Sequence, residues 1–178
     1  MTTLSNKHIR RTFSLKQNHD ICAAHFWKRK LDIDVSDYFN LAYECTKESR
    51  LRLLHFKFMH NIYPTNILLQ KMGVTETNRC LHCGEIDFIE HAFYSCHQLS
   101  QFWGKVKQYI LTQYDYPVPM NVTTALFGIP KTVIFAESTR KAVNCVLLIA
   151  KLSISKFKYG KCKNLDMIFE MELKLRSK

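Results

Sequence analysis

Four residues in one short stretch restrict this chain more than any others. Cys80, Cys83, His91 and Cys96 are spaced Cys-x2-Cys-x7-His-x4-Cys. Three thiolates and one imidazole are the donors a tetrahedral zinc ion takes, usually as two short ligand pairs on a loop and a following turn or helix. Four protein ligands leave no coordination position open, so the pattern reads as structural zinc rather than a catalytic metal. A redox role for Cys80 and Cys83 is the rival reading. It needs a βαβ context that the sequence does not show, and it leaves His91 and Cys96 unexplained. Chance is the third reading, because Cys22, Cys45, Cys145 and Cys162 are scattered thiols, each taken as a free cysteine. His82 and His97 each adjoin a ligand cysteine, a placement that turns the ring away from the metal.

Around this motif the apolar periodicity is helical. Ser36 or Asp37 can cap a helix through Tyr38, Leu41, Ala42 and Cys45. Leu51, Leu54, Phe58 and Ile62 make one helical face. Leu53, Phe56 and Met59 widen it, which predicts a helix buried on more than one side and stopped by Pro64. Thr65 can cap a short helix that ends near Gly73. From Ile89 the positions Phe93, Cys96, Leu99, Trp103, Val106 and Ile110 predict a helix of about six turns. His91 and Cys96 are five apart, about 140° around such a helix. They can share a metal only if the helix bends or begins between them, so His91 is expected at a bent first turn and Cys96 in the helix proper. Pro117 and Pro119 mark a linker, and residues 121–130 read as irregular. Val143, Leu147, Ala150, Ile154 and Phe157 predict a long helix over 136–159, followed by a last helix capped by Asn164.

The expected fold is all-α, a small helical domain with an embedded Cys-Cys-His-Cys zinc loop. Its parts are a basic arm over 1–20, a helical region with the zinc module over 21–113, and a C-terminal helical region with a basic tail over 114–178. The net charge of +11 sits at the ends. Residues 1–30 carry +6, residues 151–178 carry +5, and residues 31–150 balance. Basic ends suit a polyanion. The expected phosphate contacts are Lys28, Arg29 and Lys30, with Lys151, Lys156, Lys158, Lys161 and Lys163. Lys151, Lys158 and Lys161 are spaced to share a helical stripe; the plainer reading of these lysines is a solvated face.

No apolar run approaches the roughly 18 residues of a membrane span, and Met1 to Leu15 lacks the apolar core of a secretory signal. An intracellular setting, nucleus or cytoplasm, and no membrane partner are therefore expected. No Gly-rich phosphate loop or nucleophile-base-acid pattern appears. Glu90 reads as a solvated first-turn acid. Asp32, Asp34 and Asp37 read as a helix lead-in. An enzyme is not expected.

The stretch from Leu51 to Trp103, with FKFMHNIYPTN, a Leu-rich turn, Cys-x2-Cys-Gly, EHAFYSC and Trp103, resembles the zinc-binding region C-terminal to the reverse transcriptase of LINE-type non-LTR retrotransposons. Leu126 to Gly128 and IAKLSISKFKYG extend the likeness, which covers roughly residues 25–178. The resemblance implies that Cys80, Cys83, His91 and Cys96 ligate zinc and that the segment binds RNA in support of target-primed reverse transcription. No Asp-Asp polymerase motif is present, so the chain looks like a catalytically silent module. A zinc-dependent protein-interaction module or an inert fragment is the alternative.

Overall fold

The structure, a computed structural model, describes residues 22–133, 136–159 and 164–176. Helices follow in the order α1 (Cys22–Leu31), a 3-10 turn (Val35–Tyr38), α2 (Leu41–Cys45), α3 (Ser49–Met59), α4 (Asn66–Lys71), a π turn (His91–Ser95), a second 3-10 turn (His97–Leu99), α5 (Ser100–Tyr114), α6 (Val122–Phe127), α7 (Glu137–Tyr159) and α8 (Leu165–Arg176). Among the described residues no strand forms; Arg79 and Ile86 make an isolated antiparallel bridge. The fold is all-α, as its periodicity requires.

The long helix α7 is the centre. It packs against α2, α3, α5 and α8, with Val143, Leu147, Ala150 and Ile154 buried. One core runs from Trp27 through Phe127 to Phe93, crossing from the zinc half into the C-terminal half. Ring pairs join its parts: Trp27–Phe127 at 5.0 Å, Phe58–Phe93 at 4.5 Å and Tyr63–Phe93 at 4.6 Å between centroids. Edge-to-face geometry of this kind adds about 0.5–1.5 kcal/mol per pair beyond area burial.

Several boundaries differ from the sequence reading. The acidic lead-in folds as a 3-10 turn capped by Asp34, whose Oδ1 accepts from Ser36 N at 2.9 Å. The helix α3 buries Leu51, Leu54, Phe58 and Met59, but Leu53 (54%) and Phe56 (44%) face solvent; it is covered on one side only. It ends before Pro64 and before Ile62, because Asn61 turns left-handed at φ 51°. Thr65 makes no capping bond. Asp87 supplies it: its Oδ2 accepts from Asn66 N, 21 residues earlier in the chain, at 3.0 Å.

Residues 121–130 are not irregular throughout. Asn121 Oδ1 accepts from Thr124 N at 2.9 Å and caps α6, a cap that the Asn residue alone could have signalled. The Asn164 cap forms as expected, with Met167 N donating to its Oδ1 at 3.0 Å. The basic arm expected over 1–20 lies outside the described residues.

Candidate metal centre

The first ligand pair lies on a tight turn. Cys80 N donates to Glu85 O at 2.7 Å and Gly84 N donates to Cys80 O at 2.9 Å. Gly84 sits at φ 79°, a backbone that a β-carbon disfavours. The turn folds Cys83 back beside Cys80. Its flank is tied to α4 by Asn66 Nδ2, which donates to Arg79 O at 2.7 Å.

The second pair solves the spacing problem differently from the sequence expectation. Residues His91–Ser95 form a π turn, and Cys96 N donates to His91 O at 3.1 Å. A π turn bonds i to i+5, which brings residue 96 back over residue 91. Cys96 is therefore not in the helix proper. It is extended, at φ −61° and ψ 127°, between the π turn and the second 3-10 turn. The six-turn helix expected from Ile89 is broken there and resumes as α5 at Ser100. Trp103 steadies the break, its Nε1 donating to Phe93 O at 2.9 Å.

These turns bring together one ligand atom each from Cys80, Cys83, His91 and Cys96, all within 4.8 Å of one another. Cys83 Sγ lies 3.8 Å from Cys96 Sγ and 3.1 Å from His91 Nε2. Bonds of about 2.3 Å to sulfur and 2.0–2.1 Å to nitrogen give tetrahedral ligand edges of roughly 3.6–3.8 Å. The donor set fits a cation of that kind. Burial, aided by the Lys158 ammonium, lowers the His91 pKa and favours the neutral imidazole that binds metal. Burial works against a Cys80 thiolate, but the backbone N–H of His82 and the Lys158 ammonium outweigh it and hold the thiol below its ordinary range. Burial first, and then the neighbouring Cys80 and Cys83 sulfurs, push the Cys96 thiol up to about 12. A coordinating thiol is deprotonated outright, so a bound cation would supply what the pocket lacks. The neighbouring histidines stay apart. His82 stacks on Phe157, centroids 5.0 Å apart, and His97 Nε2 pairs with Gln98 Nε2 at 3.0 Å.

The lysines expected to meet phosphate fare unevenly. Lys151 is fully buried and donates to Leu126 O at 2.7 Å, so it is not a surface contact. The proposed stripe with Lys158 fails as well. The Lys158 side chain is 4% exposed and lies 3.3 Å from Asp87 Oδ1 and 3.6 Å from Cys80 Sγ. Both lysines point inward because the stripe is the packed side of α7. Lys156 pairs with buried Glu172. Lys30 lies 2.5 Å from Glu90 Oε1 and over the Phe88 ring at 4.5 Å. Glu90 is accordingly buried, 5% exposed, not the solvated acid expected. Lys28 is exposed, pairing with Asp32 at 2.7 Å, and Arg29 is exposed. Lys161 and Lys163 lie outside the described residues. Sequence reading missed Asp87 and Lys158 as neighbours of the metal site. Their partners lie 21 and 71 residues away, and no local pattern marks them.

A Cys3His cluster on two irregular turns, held by a helical core, has the donors and spacing of a metal-binding module. The comparison with known families agrees. Residues 9–103 match the family described as zinc-binding in reverse transcriptase, and the chain belongs to that family. The matched segment includes all four ligands and ends at Trp103, well short of α7. No curated protein matches the chain at a significant level.

Proposed function

We propose that the chain is a zinc-stabilised nucleic-acid-binding module, favouring RNA, derived from the C-terminal region of a LINE-type reverse transcriptase polyprotein. The observation that carries the reading is the closed Cys3His set within a chain of this family. Zinc is the cation because three sulfurs and one imidazole at tetrahedral spacing suit it better than calcium or magnesium, which take oxygen. The metal acts as a scaffold: four protein ligands leave no position for substrate or water, so the metal itself performs no chemistry. Its setting is intracellular, where thiols stay reduced; no described helix is long and apolar enough to cross a membrane.

Nucleic-acid affinity rests on charge, and the contacts now proposed are Lys28 and Arg29, with Lys161 and Lys163. A filter-binding titration against salt tests this. The association constant for RNA should fall linearly on log-log axes as salt rises, with a slope of about −0.7 per phosphate neutralised on a single strand. A flat salt dependence, or no retention at low salt, refutes it.

One observation favours a second reading, a protein-interaction module. Leu81 (82%), Ile86 (45%) and Phe88 (37%) are exposed on and beside the Cys80–Cys83 turn, while four expected phosphate contacts are engaged internally. In that case RNA binding fails the titration although zinc is retained.

A further inference from the structure

The metal site touches residues that lie outside the family segment. Phe157 and Lys158 belong to the last turn of α7, more than fifty residues beyond Trp103. Phe157 stacks flat on His82, rings 19° from parallel, directly between the first ligand pair. Lys158 Nζ lies 3.6 Å from Cys80 Sγ and 3.3 Å from Asp87 Oδ1. Asp87 in turn accepts from Asn66 N at 3.0 Å. The Lys158 and Asp87 side chains are 4% and 3% exposed. A third tie sits one turn earlier on α7, where Tyr63 OH and Ser155 Oγ are 2.7 Å apart.

The charge arithmetic gives these contacts a purpose. A divalent cation with three thiolates and a neutral imidazole carries one net negative charge. Asp87 adds a second beside it. Two like charges out of water are costly unless a cation is fixed nearby, and Lys158 is that cation. An ammonium on a thiolate sulfur also withdraws electron density from it. Partners of metal ligands commonly govern affinity in this way.

We infer that Lys158 is an outer-shell positioning residue of the metal site, and that through Lys158 and Phe157 the end of α7 docks against the loaded site. This coupling rests on the zinc reading above. It makes the module larger than the family segment: the metal holds the C-terminal helix, and the helix holds the metal.

The test uses the full chain. Zinc is withdrawn by a competing chromogenic chelator from the wild type, Lys158→Met and Lys158→Arg. Lys158→Met should release zinc with an affinity about ten- to hundredfold weaker, and Lys158→Arg should recover most of that loss. Iodoacetamide should alkylate the zinc-bound cysteines several-fold faster in Lys158→Met than in the wild type, with Lys158→Arg near wild type. Equal affinity and equal alkylation in all three proteins overturns the inference while leaving the zinc reading intact. Equal losses in both variants assign the effect to packing and overturn it too. A wild type that purifies without zinc overturns the zinc reading itself. Should Lys158→Met fail to fold, hydrogen exchange of the wild type decides. Chelation should speed amide exchange in the last two turns of α7 more than in its first two, and unchanged exchange there overturns the coupling.

Discussion

The Lys151 ammonium is fully buried and donates to the carbonyl oxygen of Leu126 at 2.7 Å, with the Phe58 ring 5.2 Å beneath it. Among the described residues no carboxylate pairs with it. Burial pushes its pKa down from 10.5 to about 7. Between those two values the unfolded chain binds a proton that the folded chain does not. Stability should therefore rise with pH from about 7 to 10.5 and be flat with respect to this group below that window.

Replacing Lys151 with Met removes the buried charge and keeps the volume. The expected result is a gain of roughly 1–3 kcal/mol at pH 6, shrinking as pH rises toward 10. Urea unfolding of both proteins across that range checks it; a variant less stable than wild type at pH 6 refutes it.

Asn144 offers a second, independent test of the core. It is fully buried in α7 and grips the backbone of Ile129 twice: Ile129 N donates to Oδ1 at 2.7 Å and Nδ2 donates to Ile129 O at 2.9 Å. That approach is possible because residue 128 is glycine. A β-carbon there would stand 2.6 Å from Asn144 Oδ1 and 2.9 Å from Leu41 Cδ1, on a backbone at φ 93°. Gly128→Ala should cost about 2–4 kcal/mol. Thermal melting measures it, and a change under about 0.5 kcal/mol would show that the loop relaxes freely.

Metal content tests the site directly. Purified protein should hold one zinc per chain. Cys80→Ser and His91→Ala should each lose most of it and melt well below wild type, because binding energy at a structural site is folding energy. Elemental analysis with calorimetry gives both readouts. Wild-type zinc and stability in both variants would remove these residues as ligands.

A fourth prediction concerns acid. The buried Glu172 carboxylate pairs with Lys156 and with Arg176, whose Nη1 lies 2.6 Å from Oε2; Arg176 Nε and Nη2 reach Glu48 at 2.6 and 2.7 Å. Burial works against the Glu172 charge, but these cations outweigh it and hold its pKa below 4.5. The network's contribution is complete above the ordinary pKa and fades as pH falls below it. Glu172→Gln should cost about 1–3 kcal/mol at pH 7. The gap to wild type should narrow below pH 4, as denaturation at a series of acid pH values will show.

Much of this protein is legible in the sequence. The ligand spacing identified Cys80, Cys83, His91 and Cys96 as one group, and the structure brings their ligand atoms within 4.8 Å. The periodicity of α7 and the Asn164 cap were equally readable. Such features are local: a helical face or a capping residue acts over one or two turns. The same pattern misread the stretch after Ile89, because a π turn keeps the apolar residues inward while changing the backbone path.

The amino-acid order by itself determined an all-helical chain and the donors of its metal site. Only the tertiary structure decided where the charges went. Lys30, Lys151, Lys156 and Lys158 look alike in sequence, yet one reaches Glu90, one is sealed behind Leu126, one pairs with Glu172, and one faces Cys80 and Asp87. A lysine's partner is set by whatever lies within about 4 Å of its Nζ. For these residues that neighbour comes from a distant part of the chain, which composition and spacing do not encode.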